Sequence, residues 1–138
     1  AYARSASLVG SEMCIRDSAN IEGRMSASEI KYLIAIFNLT LSRQSVKPVD
    51  IAAALEYSRA SVSRMLDQFE IKGIVLRNKD KTISFTGKGE ETASRYYRAY
   101  LKVKDFLTGR FCCNENIASK DAVRILSNLS PANFDKLV

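Results

Sequence analysis

The sequence predicts a mostly α-helical fold with one small β-hairpin, arranged as a winged helix-turn-helix followed by a purely helical region. Three observations carry this expectation. Apolar residues recur at helical spacing over residues 30–41, 62–69 and 93–111. Between the second and third of these stretches the period changes to two short β-prone runs, Ile74-Val75-Leu76 and Ile83-Ser84-Phe85, joined by polar residues. Helix, helix, helix, hairpin is the order of a winged helix, and only helical patterns follow it.

Each element has its own local signals. Ser26-Ala27-Ser28-Glu29 fits a capping box, in which Ser26 accepts from the backbone and Glu29 reaches back. A first helix follows, with Ile30, Leu33, Ile34, Phe37 and Leu41 on one side and its end near Ser42. Residues 43–47 form a polar connector and Pro48 marks a new start. Asp50-Ile51-Ala52-Ala53-Ala54-Leu55 is a short alanine-rich helix, small enough in side chain for a partner helix to approach closely. Glu56-Tyr57 makes the turn and Ser58 caps a third helix to about Lys72, with Val62, Met65, Leu66 and Phe69 facing inward. Gly73 stands where a left-handed cap is needed. After the hairpin, Thr86 caps a long helix from Gly87 to Phe111, striped by Ala93, Tyr97, Tyr100, Lys104, Leu107 and Phe111 and widened by Tyr96, Leu101 and Val103. Residues 112–116 read as a loop, 119–129 as a further helix, and Ser130-Pro131 as the start of a last short one.

Residues 1–24 are excluded from this fold. Ile21-Glu22-Gly23-Arg24 is the tetrapeptide cut by factor Xa, and Met25 follows it, so residues 1–24 are expected to be an expression tag. The expected organisation is a tag over 1–24, a winged helix-turn-helix over 25–86 and a helical dimerisation domain over 87–138. Arg4, Arg16 and Arg24 balance Glu12, Asp17 and Glu22, so the formal net charge of +6 resides in the remainder. An excess of this size is compatible with a polyanionic partner. The chain has no histidine, which removes Ser-His-Asp and Cys-His catalysis and the commonest transition-metal ligand. No catalytic constellation or phosphate-cradling glycine loop stands in its place, so an enzyme is not expected. No apolar run is long enough to span a bilayer, and Cys112 and Cys113 are adjacent, a poor disulfide framework. These features point to the cytoplasm and to no membrane partner.

The third helix carries the surface that chemistry can use. Opposite Val62, Met65 and Phe69 it presents Arg59, Ser61, Ser63 and Arg64, and its start adds Ser58 and Ala60. A major groove about 12 Å wide admits one helix; arginine can take guanine bidentately or hold phosphate, and serine can donate or accept. Lys79 and Lys81 stand at the hairpin tip, placed for phosphates. Ser58, Arg59, Ala60, Ser61, Ser63, Arg64, Lys79 and Lys81 are therefore the expected DNA-binding residues.

These stretches also resemble a known family. Asp50 to Leu55, Ser58 to Leu66, Glu70-Ile71-Lys72-Gly73-Ile74-Val75 and Ile83 to Gly89 look like the diphtheria toxin repressor family of iron- and manganese-dependent regulators, and the resemblance runs from Glu29 to Leu137. Arg98 to Leu107 and Asp121 to Ser130 look like its dimerisation region, in the short form that lacks a third domain. The resemblance implies a homodimer on a near-palindromic operator, activated by a divalent metal. Its ligand positions, however, fall on Ile34, Tyr100, Val123, Leu126 and Ser127, with Lys31 at a further carboxylate position. Hard and borderline cations need oxygen or nitrogen donors, so no metal and no other cofactor is expected, and Ile34, Val123 and Leu126 are expected to pack instead.

The expectation is thus a homodimeric, metal-independent, double-stranded-DNA-binding transcriptional regulator. Its alternatives are a repressor responsive to a metal, to redox state or to a small molecule, with Tyr96, Tyr97, Tyr100, Phe106 and Phe111 lining a pocket, and a winged helix used for protein–protein contact.

Overall fold

A computed structural model describes residues 24–138, so the expected tag, apart from Arg24, lies outside the described residues. The element order is α1 (Ala27–Ser42), α2 (Pro48–Leu55), α3 (Arg59–Ile71), β1 (Val75–Arg77), β2 (Ile83–Phe85), α4 (Gly87–Phe111), α5 (Glu115–Asn128) and α6 (Pro131–Leu137). The mostly helical winged fold is as the sequence predicts.

Helix α1 begins with the expected capping box: Glu29 N–H donates to Ser26 Oγ (3.2 Å), and Ser26 N–H donates to Glu29 Oε1 (3.1 Å). Its buried side is Ile30, Leu33 and Ile36, each at most 1% exposed. Burying such a side chain is worth about 1.5–3 kcal/mol, so these three anchor the molecule. Leu41, expected on the same stripe, is exposed. The connector after α1 is not wholly polar in function. Val46 is buried, and its carbonyl accepts from Ile83 N–H (2.7 Å), so the connector adds a single bridge to β2.

The hairpin pairs Val75 with Phe85, Leu76 with Ser84 and Arg77 with Ile83. It is seated by two glycines and a threonine. Gly73 adopts φ +71 just past α3, a conformation that favours glycine. Thr86 Oγ1 donates to Gly73 O (2.6 Å) and accepts from Gly89 N–H (2.8 Å), joining the end of α3 to the start of α4. A Cβ on Gly89 would lie 1.8 Å from Ile74 O, so only glycine lets α4 approach the strand this closely.

Helices α4 and α5 lie against each other and against α1. Ala93, Ala99, Ala118 and Ala122 are fully buried, and Leu126 is 2% exposed. The buried side of α4 keeps much of the expected stripe and adds Ala99, which the stripe omits. Ala93, Tyr96, Ala99, Tyr100 and Val103 face the interior, while Phe111 is exposed. Helix α5 starts at Glu115, four residues before the expected position, because Asn114 Oδ1 accepts from Asn116 N–H (2.8 Å) and caps it there. One continuous apolar cluster includes residues on both sides of Thr86. Leu126 is spent inside that cluster, so it has no surface left for a second chain.

Gly89→Ala should destabilise the protein by about 1–3 kcal/mol, the usual range for forced overpacking. Gly87→Ala, where a Cβ meets open space, should stay within about 0.5 kcal/mol. Urea denaturation of the two variants measures the contrast.

Candidate nucleic-acid interface

Helix α3 owes its orientation to both ends. Ser58 Oγ accepts from Ser61 N–H (3.1 Å), capping the first turn. At the other end Lys72 donates to the Glu29 carboxylate at the start of α1. Val62, Leu66 and Phe69 are fully buried, which leaves the opposite face to solvent. Arg59, Ala60, Ser63 and Arg64 are exposed on that face, as the spacing predicts. Ser58 and Ser61 are partly committed: Ser58 Oγ also donates to Ser61 Oγ (3.0 Å), so both hydroxyls serve the cap before any ligand. Neither Arg59 nor Arg64 pairs with a carboxylate among the described residues.

The wing is stiffened by its own polar residues. Thr82 N–H and O–H both donate to Asp80 Oδ1 (3.1 and 2.6 Å), and the Thr82 side chain holds the Asp80 carboxyl below its usual range. Asn78 Nδ2 donates to Thr82 Oγ1 and Ser84 Oγ (2.9 and 2.7 Å). Lys81 adopts φ +68, which turns the chain at the tip, and Lys79 and Lys81 both stand exposed. Sequence reasoning missed the link between wing and α3. Arg77, at the end of β1, donates to Asp67 Oδ1 (2.7 Å) and Ser63 O (2.9 Å) and lies 3.3 Å from Glu70 Oε1. Asp67 and Glu70, three apart on one helix side, were the available signal. Arg77 neutralises two carboxylates that would otherwise repel a polyanion beside Ser63.

On the other flank of α3, Lys31 of α1 donates to Tyr57 Oη (2.7 Å) and lies 4.9 Å from that ring's centroid. Tyr57 in turn packs on Tyr32, with ring centroids 5.5 Å apart. The lysine at one of the family's carboxylate positions therefore faces the helix-turn-helix, not the interior.

The remaining ligand positions do not fit a divalent cation. Leu126 is buried, and Ile34, Tyr100 and Val123 pack against the same cluster. Ser127 Oγ donates to Arg124 O, and Ser127 O accepts from Arg24 Nε (2.9 Å). Among the described residues no group of three or more histidine, cysteine, aspartate or glutamate side chains is placed to hold a metal. Asp121 pairs with Arg124 and Glu115 with Lys104, while Cys112 and Cys113 are free thiols at the end of α4. The five aromatic residues expected around a pocket go to separate partners: Tyr96 to Phe134, Tyr97 to Phe37 and Phe106 to Phe111, while Tyr100 joins the core cluster.

The fold and this surface are those of a winged-helix domain followed by helices. Residues 25–83 match the family described as "Iron dependent repressor, N-terminal DNA binding domain", which bears out the resemblance over that span. No curated protein matches the sequence. Solved structures share the fold. The manganese regulator SloR is 23% identical with a TM-score of 0.69, covering 79% of this chain and 51% of its own. The metal-dependent transcriptional regulator MtsR is 20% identical with a TM-score of 0.70, covering 82% of this chain and 53% of its own. The hypothetical protein SSo2273 from Sulfolobus solfataricus is 23% identical with a TM-score of 0.59, covering 82% of this chain and 86% of its own. The chain thus spans about half the length of SloR and MtsR. No helix among the described residues is long and apolar enough to cross a membrane.

The Glu29–Lys72 bridge makes this geometry pH-dependent. Burial pushes the Glu29 carboxyl up, but the bond from Lys72 and the Ser26 backbone N–H outweigh it and hold the group below its ordinary value. Ionised Glu29 therefore favours the fold above the ordinary glutamate pKa of about 4.3, and that contribution is lost as pH falls through the lower, folded value. Glu29→Gln should be less stable than the wild type at neutral pH, and the gap should narrow as pH falls below about 4. Urea titrations across that range measure it.

Proposed function

We propose that this protein is a DNA-binding transcriptional regulator, not an enzyme, that works as a homodimer on a near-palindromic site in double-stranded DNA, in the cytoplasm, without a metal. The observation that carries the reading is the exposed face of α3. Arg59 and Arg64 stand there without carboxylate partners among the described residues, beside a wing that presents Lys79 and Lys81. Helix α3 enters the major groove, where Arg59, Ala60, Ser63 and Arg64 meet base edges, and Ser58 and Ser61 hold its first turn. The wing lysines take phosphates. Leu101, Phe106, Phe111, Ile117 and Ile125 on α4 and α5 are exposed and supply apolar surface for a second copy. Two recognition helices about 34 Å apart then read successive half-sites.

Apolar packing supports the metal-independent reading. The resemblance implies that a metal would join helix one to the dimerisation region. Here Ile34, Tyr100, Val123 and Leu126 make that contact with apolar surface, which requires no ion. A set of unpaired buried carboxylates would be electrostatically costly in the same place.

Selection from a random duplex pool, with chelator or with excess Mn²⁺, tests the reading. The same motif and affinity should emerge under both conditions. Arg59→Ala or Arg64→Ala should cost about 1–3 kcal/mol on the selected site, whereas Lys79→Ala and Lys81→Ala should weaken all sequences alike and flatten the salt dependence. Unchanged affinity across the four variants contradicts the DNA-binding surface, and tighter binding with Mn²⁺ contradicts metal independence.

A further inference from the structure

The surface described so far engages DNA from one side only. The wing flank of α3 carries Lys79 and Lys81, and a helix lying in a major groove has a sugar-phosphate strand along each edge. On the flank away from the wing, a cleft of about 320 Å³ opens between α3 and α1. Ser61, Arg64, Met65 and Gln68 line it at i, i+3, i+4 and i+7 on α3, and Ser28 and Tyr32 line it from α1, with Tyr57 at its rim. The lining is mostly polar. Lys31, one turn of α1 from Ser28, is exposed with no carboxylate partner among the described residues. Its ammonium is fixed by a bond to Tyr57 Oη (2.7 Å), and the tyrosine is itself held by packing on Tyr32.

We propose that Lys31, positioned by Tyr57, is a phosphate clamp on the second DNA strand, so that α3 is gripped along both edges of the groove. The proposal rests on the reading of α3 as the recognition helix. An ammonium has three donors, and Tyr57 accepts only one of them, leaving two for phosphate oxygens. Arg64 borders the same cleft and bridges it to the base-reading face. The aromatic pair makes the lysine rigid, which lowers the entropy that a long side chain otherwise loses on binding. Tyr57 is a positioning residue here, and Lys31 is the one that touches the ligand.

The test uses the full chain and a fluorescein-labelled duplex of mixed sequence, because phosphate contacts dominate binding that ignores sequence. Anisotropy titrations over a range of salt give the slope of log K against log salt. Lys31→Ala should reduce the magnitude of that slope by about 0.9, the loss of one phosphate contact. Tyr57→Phe keeps the charge and the ring but frees the ammonium, so it should weaken binding by about 2- to 10-fold, the span of one ordinary hydrogen bond, with the slope unchanged. Lys31→Arg should restore the slope. Thermal melts separate these effects from misfolding, since both substituted residues, Lys31 and Tyr57, are exposed. If Lys79→Ala and Lys81→Ala lower the slope and Lys31→Ala does not, the clamp is overturned while the recognition surface stands. If the wild type fails to bind the duplex at all, both readings fall together.

Discussion

Helix α1 has to satisfy two neighbours at once, and most of the molecule follows from how it does so. Ile30, Leu33 and Ile36 give it one fully buried side. It packs on α2 toward the helix-turn-helix and on α4 and α5 toward the C-terminal helices. Because these contacts share one apolar cluster, the orientation of the winged helix relative to α4 and α5 is fixed by side-chain volume. Leu126 and Val123 of α5 and Ile34 of α1 belong to that cluster, and they stand where relatives are expected to place ligands.

Electrostatics then sorts the surface of α3 into three strips. The inward strip is apolar. The wing-side strip contains Asp67 and Glu70, whose charge is met by Arg77. The strip toward α1 contains Ser61, Arg64 and Gln68. The carboxylates of Asp67 and Glu70 are thus paired with Arg77 at the surface, while Arg59, Arg64, Lys79 and Lys81 are left to solvent. The Glu29–Lys72 bridge adds a further tie between α1 and the end of α3. Each ion pair at this surface contributes little to stability on its own; their effect is to decide which charges remain for a partner.

Much of this was legible in the sequence because the signals were local. Ser26, Ser58, Thr86 and Ser130 each accept a backbone N–H at the start of a helix, as their residue types and spacing predict. The exposed arginines of α3 follow from the helical period of Val62, Leu66 and Phe69. What was not legible depends on contacts between elements. The Arg77 brace requires the hairpin register that sets Arg77 opposite Ile83. The Lys31–Tyr57 bond joins residues 26 apart in sequence. Burial of Ala99 on α4 is not legible in the apolar stripe, because the close packing of α4 on α5 selects it for its small side chain. The N-terminus of α5 lies ahead of its apolar pattern because the Asn114 side chain, in a stretch with loop composition, is the cap.

The central claim is that apolar packing of α1 against α4 and α5 holds the DNA-binding geometry without an ion. Amide hydrogen exchange in α1 and α5 reports that packing directly, since protection there reflects the free energy of opening this part of the fold. Chelator-treated protein should show slow exchange at Leu33, Ile36 and Leu126, and added Mn²⁺ should leave the rates unchanged. Rapid exchange in the chelated protein that slows when Mn²⁺ is added would contradict the account.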